Sequence, residues 1–71
     1  MEEERCGRRI RAFRKLKGYT QEGLAKELLV SVSLLGEIER GNRMPTEQFL
    51  LEVATALDIS VEELRPPQEY K

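Results

Sequence analysis

The 71-residue chain has no histidine, no tryptophan and a single cysteine. Without a histidine, Ser31 and Ser33 lack the base that would activate them as nucleophiles, and the acidic residues show no paired catalytic arrangement. The lone Cys6 can form neither an internal disulfide nor a cysteine metal cluster, and we expect it to be a small core residue rather than a redox sensor. We therefore predict that the protein is not an enzyme, with no catalytic residues, no cofactor and no metal site.

Long apolar runs are also absent. No stretch approaches the ~20 apolar residues of a membrane helix, and the charged N-terminus lacks the apolar segment of a secretion signal. We therefore expect a soluble, cytoplasmic protein. The length suits one small domain, which we place at residues 1–65, and we interpret residues 66–71, beginning with Pro66-Pro67, as a short C-terminal tail.

The net charge of −1 gives little support for general binding to nucleic acid. The charges are nevertheless unevenly distributed: residues 1–18 hold seven basic and three acidic side chains, whereas residues 19–71 hold five basic and ten acidic ones. The N-terminal element is therefore basic. Its arginines suit a stripe that binds phosphate groups, and they suit equally well a solvated helix face.

Helical periodicity predicts five helices and no strand, at about residues 4–17, 21–28, 32–40, 47–57 and 61–65. Each helix has an apolar face at three- and four-residue spacing, which indicates a common core. The last four helices begin after residues that cap helices well, namely Thr20, Ser31, Thr46 and Ser60. Ser60 is expected to form a capping box with Glu63, and Gly18 to end the first helix. The predicted fold class is an all-α, compact five-helix bundle.

Only Leu29 and Val30 separate the predicted second and third helices. Two helices joined by so short a connection must cross at a steep angle, as in a helix-turn-helix. In that motif the first helix crosses the DNA backbone and the second lies in the major groove.

Much of the chain resembles the phage-repressor-like helix-turn-helix family, also called the Cro/cI or xenobiotic-response-element family. The shared motifs include G-Y-T-Q-E at 18–22, L-A-K-E-L at 24–28, I-E-R-G at 38–41 and L-x-x-V-A-x-A-L-D-I-S-V-E-E-L at 50–64. The resemblance covers about residues 7–65 and implies a lambda-repressor-like DNA-binding domain. It further implies a nucleoid-associated transcriptional regulator, a small repressor or controller, that binds double-stranded operator DNA. Relatives often bind an inverted repeat as a homodimer.

The resemblance also implies roles for individual residues. The third helix would present four residues to the bases: Val32, Ser33, Gly36 and Glu37. Phosphate contacts, which position the protein without reading sequence, would come from Gln21, Arg11, Ser31, Asn42 and Arg43. An internal salt bridge would join Arg14 to Glu39. The candidates for a dimer contact are Leu51, Ile59, Val61 and Leu64.

The residues at the base-facing positions are weak readers of sequence. No Arg, Lys, Gln or Asn lies between Val30 and Glu39. Val32 can contact a thymine methyl group, Ser33 can bond almost any base edge, and Glu37 can accept a hydrogen bond from cytosine. We therefore expect much of the selectivity to come from methyl contacts and DNA shape.

The same region supports an alternative function, a protein-interaction module such as an antirepressor or assembly component that keeps the fold. Leu29, Val32 and Leu34 would then form an apolar surface on the third helix and its turn. In the simpler interpretation Leu29 and Leu34 tuck against the second helix, and only Val32 faces outward. Leu29 also replaces the glycine usual in this turn, where a left-handed backbone is often needed, at a cost of about 1 kcal/mol.

Overall fold

The computed structural model describes the backbone of residues 2–65 and the side chains of residues 5–65. This part of the chain forms four α-helices and a single 3-10 turn: α1 (Glu2–Leu16), α2 (Gln21–Leu28), α3 (Val32–Glu39), α4 (Glu47–Leu57) and the turn Val61–Glu63. No residue from 2 to 65 lies in a strand, so the all-α prediction is confirmed there. None of these helices is long and apolar enough to cross a membrane. The predicted tail at residues 66–71 lies outside the described residues.

Side-chain caps fix where three of the helices begin. The hydroxyl oxygens of Thr20, Ser31 and Thr46 each accept a hydrogen bond from the N–H three residues later, at 2.9, 3.1 and 3.0 Å. Each cap satisfies one of the N–H groups that the first helical turn leaves without a partner. Gly18, with φ 83°, lies just beyond the end of α1, as predicted. These caps leave α2 and α3 as two short helices with a tight connection between them.

The predicted fifth helix, at about residues 61–65, is wrong. The backbone N–H groups of residues 63, 64 and 65 donate to carbonyl groups three positions earlier, at 3.0, 3.0 and 3.2 Å, which is the 3-10 pattern. Pro66 then disfavours the α-conformation at Arg65 and has no N–H to continue a helix. The described residues therefore form four helices and a 3-10 turn.

The predicted capping box at Ser60 is also wrong. Ser60 Oγ accepts from the N–H of Glu62 at 3.3 Å and donates to the Glu62 carboxylate at 2.7 Å, and Glu63 takes no part in this cap. The hydroxyl stabilises the charged carboxylate, which lowers the pKa of Glu62 below its ordinary value. The tighter 3-10 turn brings the second residue, rather than the third, within reach of the cap.

The core lies where all these elements meet. Its fully buried side chains come from each helix and from the residue after the 3-10 turn: Cys6, Ile10, Leu24, Leu35, Val53, Leu57 and Leu64. The burial of Cys6 confirms its predicted place in the core. Burial of a large aliphatic side chain contributes roughly 1.5–3 kcal/mol, so these contacts hold α2 and α3 against α1 and α4.

The turn between α2 and α3 is left-handed at Leu29, with φ 60° and ψ 39°. This confirms the expectation of a left-handed residue there. The Leu29 side chain is 91% exposed, so the interpretation in which it tucks against α2 is wrong. Val30, the next residue, packs against the core instead, and the turn leaves Leu29 pointing outward. Leu34 is half-buried against the core, as that interpretation expected.

Candidate nucleic-acid interface

A buried ion pair joins α1 to α3. Arg14 Nε donates to Glu39 Oε2 at 2.7 Å, and Arg14 Nη2 donates to Glu39 Oε1 at 3.1 Å. The remaining Nη1 donates to the carbonyl oxygen of Tyr19 at 2.9 Å. Both charged side chains are buried, so the structure places Arg14 and Glu39 in the pair that the resemblance implies. Since a buried ion pair needs several hydrogen bonds to offset its desolvation, this geometry indicates a structural role.

The same carboxylate fixes the beginning of α2. Gln21, the first residue of α2, donates from Nε2 to Glu39 Oε1 at 3.1 Å. Three helices therefore meet at one carboxylate, with Arg14 from α1, Gln21 from α2 and Glu39 from α3. The Gln21 side chain is half-buried, and its bond to Glu39 uses one of the two N–H groups of Nε2, which leaves the other for a second acceptor.

Gly7 allows α1 to pack closely against α3. A Cβ at position 7 would lie 2.3 Å from the carbonyl oxygen of Ile38 and 2.7 Å from that of Glu39. Only a residue without a side chain fits there. Gly7 was not predicted from the sequence, although a glycine inside a helical pattern is unfavourable and often has a packing reason.

The opposite side of α3 faces outward. We call this the exposed side of α3 and define it by Val32, Ser33 and Glu37. Val32 and Ser33 are exposed at the beginning of the helix, and Glu37 Oε1 accepts from Arg43 Nε at 3.2 Å. The Arg43 and Glu37 side chains are 60% and 44% exposed, and such surface pairs are worth only ~0–1 kcal/mol. A ligand can therefore separate them at little cost.

Gly36 does not lie open beside these residues. It is buried, and a Cβ there would lie 3.0 Å from Arg40 Nη1 and 3.6 Å from Gln21 Nε2. The role of Gly36 at the bases stays a prediction, and in this structure the side chains of Arg40 and Gln21 lie over it. Arg40 was not predicted from the sequence, although its four-residue spacing from Gly36 places the two residues on the same face of the helix.

The other residues expected to bind phosphates are all exposed. Ser31 uses its hydroxyl oxygen to cap α3, which leaves its hydroxyl hydrogen available as a donor. Asn42 and Arg43 follow Gly41, whose φ of 83° turns the chain after α3. Arg11 is exposed on α1, one turn before Arg14. The structure brings Gln21 together with the Arg14–Glu39 pair, and Arg43 together with Glu37.

The four residues expected at a dimer contact differ in exposure. Leu51 is 42% exposed on α4, while Ile59 and Val61 are half-buried against the core. Leu64 is fully buried. Its predicted place at a dimer contact is therefore corrected, because its side chain fills the core between α4 and the 3-10 turn.

The side chains of residues 5–65 include no group of three or more His, Cys, Asp or Glu that could hold a metal ion. The exposed side of α3 and its surroundings instead offer hydrogen-bond donors and two arginines, Arg40 and Arg43. Such groups bind phosphate oxygens and base edges.

Over residues 10–64 the sequence matches the helix-turn-helix family HTH_3. The chain belongs to this helix-turn-helix family. The match spans the α2–α3 pair as well as the core residues of α1 and α4, which confirms the family resemblance found in the sequence.

Two relatives from Bacillus subtilis (strain 168) show how far the likeness extends. YazB, described as an uncharacterized HTH-type transcriptional regulator, is 64% identical over 69 residues, which cover 97% of this chain and 100% of YazB. The HTH-type transcriptional regulator SinR is 44% identical over 59 residues, which cover 82% of this chain and 53% of SinR. The matched part of the chain thus spans about half the length of SinR.

Two solved structures share the helix-turn-helix fold. The restriction-modification controller protein C.AhdI from Aeromonas hydrophila superposes with a TM-score of 0.82 at 40% identity, covering 87% of this chain and 94% of that one. SinR in complex with DNA, described as the master regulator for biofilm formation, superposes with a TM-score of 0.78 at 43% identity, covering 83% of this chain and 95% of that one.

Proposed function

We propose that this protein is a DNA-binding transcriptional regulator that reads a specific sequence with α3 in the major groove. The observation that carries the proposal is the arrangement of α2 and α3. Buried contacts at Glu39 hold both helices rigidly, while the exposed side of α3 has a single weak surface ion pair. The helix-turn-helix family match and the likeness to SinR bound to DNA support the proposal.

Phosphate contacts position the protein in this mechanism. Gln21 binds the backbone at the beginning of α2, where the helix dipole also favours an anion. Ser31, Asn42 and Arg43 bind on either side of α3, and Arg11 binds from α1. Arg43 exchanges the Glu37 carboxylate for a phosphate when DNA arrives, because their mutual hydrogen bond is exposed.

The side chains that contact the bases are those of Val32, Ser33 and Glu37. Val32 contacts a thymine methyl group, Ser33 bonds a base edge, and Glu37, once Arg43 has left it, accepts from a cytosine amino group. Three readers of this kind give modest discrimination, and the sequence-dependent shape of the DNA provides the rest.

A two-fold dimer would place two α3 helices about one DNA turn apart, on an inverted repeat. Leu51 provides an exposed apolar side chain for the contact between the two copies. Ile59 and Val61, which are half-buried against the core, would add to this contact. Dimerisation raises the affinity of a domain with few base contacts. We place the protein in the cytoplasm, associated with the nucleoid.

Selection from a random library tests this function directly. The purified full chain is incubated with random 30-base-pair duplexes at low and moderate salt, and the retained DNA is sequenced. We expect enrichment of one motif arranged as an inverted repeat. Uniform, salt-sensitive retention would indicate a backbone binder without sequence reading, and no retention at either salt would contradict the proposal.

Gln21→Ala provides the matching variant experiment. We expect it to weaken DNA binding by about tenfold, because it removes a charge-assisted hydrogen bond to phosphate. Gln48→Ala is the control, since Gln48 is an exposed glutamine on α4 whose bond is to the nearby Glu52. Thermal unfolding of both variants separates lost contacts from lost stability.

One observation favours a second function, that of a protein-interaction module. Leu29 is 91% exposed, and with Leu51 it borders a cleft between α2 and α4 whose rim includes Glu27 and Glu52. This cleft suits a partner segment with one large apolar side chain beside basic residues. Binding of an antirepressor or assembly component of this kind would fall with salt less steeply than DNA binding, because its apolar contact is not screened and it releases no condensed counterions.

A further inference from the structure

Arg40, the residue immediately after α3, folds back over Gly36. A Cβ at position 36 would lie 3.0 Å from Arg40 Nη1, so the guanidinium fills the space where a side chain at position 36 would begin. Side chains on a helix lean toward its N-terminus, which brings Arg40 over the residue four positions earlier. An alanine at position 36 would need only a small shift of the guanidinium, whereas a long side chain would have to displace it.

The Gln21 side chain borders the same space. Its Nε2 and Oε1 atoms lie 3.6 and 3.7 Å from the Cβ position of Gly36. Nε2 also donates to Glu39, which holds the carboxamide still. A guanidinium and a fixed carboxamide are therefore neighbours at the junction of α2 and α3.

The Arg40 guanidinium is available to bind a ligand. It has no hydrogen bond or ion pair with any side chain of residues 5–65. The nearby Glu39 carboxylate already accepts two hydrogen bonds from Arg14 and one from Gln21. Among the described residues, no side chain occupies the N–H donors of the guanidinium, which suit an anion.

We propose that Arg40 and Gln21 together bind one DNA phosphate, and that Gly36 is required because it leaves room for the Arg40 guanidinium. This inference rests on the proposed DNA binding. A phosphate fits better than a base edge because Gln21 belongs to α2, the helix that crosses the DNA backbone in a helix-turn-helix. A guanidinium also suits phosphate geometry, since it donates two parallel hydrogen bonds.

The first test replaces Arg40 and measures the salt dependence of binding. The probes are the duplex most enriched from the random library and a duplex of unrelated sequence. Arg40→Gln should weaken binding to both by about tenfold and reduce the slope of log affinity against log salt by about 1. Arg40→Lys should keep the slope, because it keeps the charge. Arg65→Gln removes an exposed arginine outside the proposed DNA contacts and should change neither quantity.

The second test is a double-mutant cycle with Gly36→Met, an unbranched side chain that fills the guanidinium's position. We expect Gly36→Met to weaken binding about as much as Arg40→Gln, and the double variant to be little weaker than either single one. Fully additive losses would show that position 36 acts independently of Arg40 and would overturn the role given to Gly36. Circular dichroism confirms that each variant is folded.

The outcomes separate this inference from the proposed function. Wild-type binding together with unchanged Arg40→Gln binding would overturn the phosphate site alone. A loss confined to the enriched duplex, with the salt slope unchanged, would also overturn it, because Arg40 would then be reading a base. Failure of the wild-type protein to bind either duplex would overturn the proposed function and this inference together.

Discussion

The two sides of α3 each present an Arg–Glu ion pair, and the two pairs differ in almost every physical respect. On the buried side, Arg14 and Glu39 form two hydrogen bonds, at 2.7 and 3.1 Å. On the exposed side, Arg43 and Glu37 share one hydrogen bond of 3.2 Å, with side chains that are 60% and 44% exposed. The same pair of residue types therefore serves two purposes on one short helix.

Burial, and not residue type, therefore determines whether an Arg–Glu pair stabilises the fold or can exchange its partner for a ligand. The buried pair cannot lose one partner without leaving a charge in the core, so it holds α1, α2 and α3 in place. The exposed pair is screened by water and salt, so its arginine can change partners. The rigid side of α3 positions the side that we propose binds DNA.

Glu39→Ala should have the largest effect on stability, because it removes the carboxylate of the buried ion pair. Removing the carboxylate leaves Arg14 buried and charged and deprives Gln21 of its acceptor, so we expect a loss of about 3–5 kcal/mol in the free energy of unfolding. Urea denaturation followed by circular dichroism measures this. Replacing both Arg14 and Glu39 by Met should recover part of the loss. A loss below ~1 kcal/mol for Glu39→Ala would contradict a structural role for the pair.

Gly7→Ala should destabilise the contact between α1 and α3 through packing alone, without changing any charge. The added Cβ would meet the carbonyl oxygens of Ile38 and Glu39 at 2.3 and 2.7 Å, so α1 and α3 must separate. We expect the free energy of unfolding to fall by about 1–3 kcal/mol. Gly23→Ala, in α2, is the control, since the nearest atom there is the Thr20 hydroxyl at 3.0 Å. Equal effects of the two substitutions would contradict a tight α1–α3 contact.

Leu29→Gly should stabilise the protein at the turn that leads into α3. Leu29 has φ 60° and is almost fully exposed, so glycine relieves about 1 kcal/mol of backbone strain with little loss of packing. A rise in the urea midpoint would record this. DNA affinity should stay unchanged, whereas binding to a partner in the α2–α4 cleft would be lost. A fall in stability would mean that the Leu29 side chain packs in solution.

Glu37→Ala should have the smallest effect on stability, within about 0.5–1 kcal/mol of wild type, because the Arg43 pair is exposed. Binding to DNA should respond instead. Affinity for an unrelated duplex should rise, since a carboxylate near phosphates is removed and Arg43 is released. Discrimination in favour of the enriched duplex should fall. Fluorescence anisotropy with both duplexes measures the two quantities, and a large loss of stability would contradict the contrast between the two sides of α3.

The sequence predicts those features whose causes are local. Thr20, Ser31 and Thr46 cap helices because their hydroxyl groups reach an N–H only three residues away. The need for a left-handed residue at Leu29 follows from the short connection between two helices. Asp58 adopts the same conformation, with φ 58°, and was missed, although aspartate is enriched in that region among non-glycine residues.

Features that depend on contacts between distant residues were harder to predict. Leu64 has the pattern of a helical face, but its burial depends on how the 3-10 turn packs on α4. Gly36 occupies a base-facing position in the family, yet here the flexible side chain of Arg40 lies over it. The need for glycine at position 7 depends on the distance between α1 and α3, which no local pattern specifies.

The most direct test of the contrast between the two sides of α3 is an NMR titration of the ¹⁵N-labelled full chain with the enriched duplex. We predict that amide shifts change most at Gln21, at residues 31–37 and at residues 40–43. Residues that line the α2–α4 cleft but lie outside the proposed dimer contact, such as Glu27 and Thr55, should change little. Changes centred on that cleft, or no changes at any DNA concentration, would contradict the conclusion that the exposed side of α3 binds DNA.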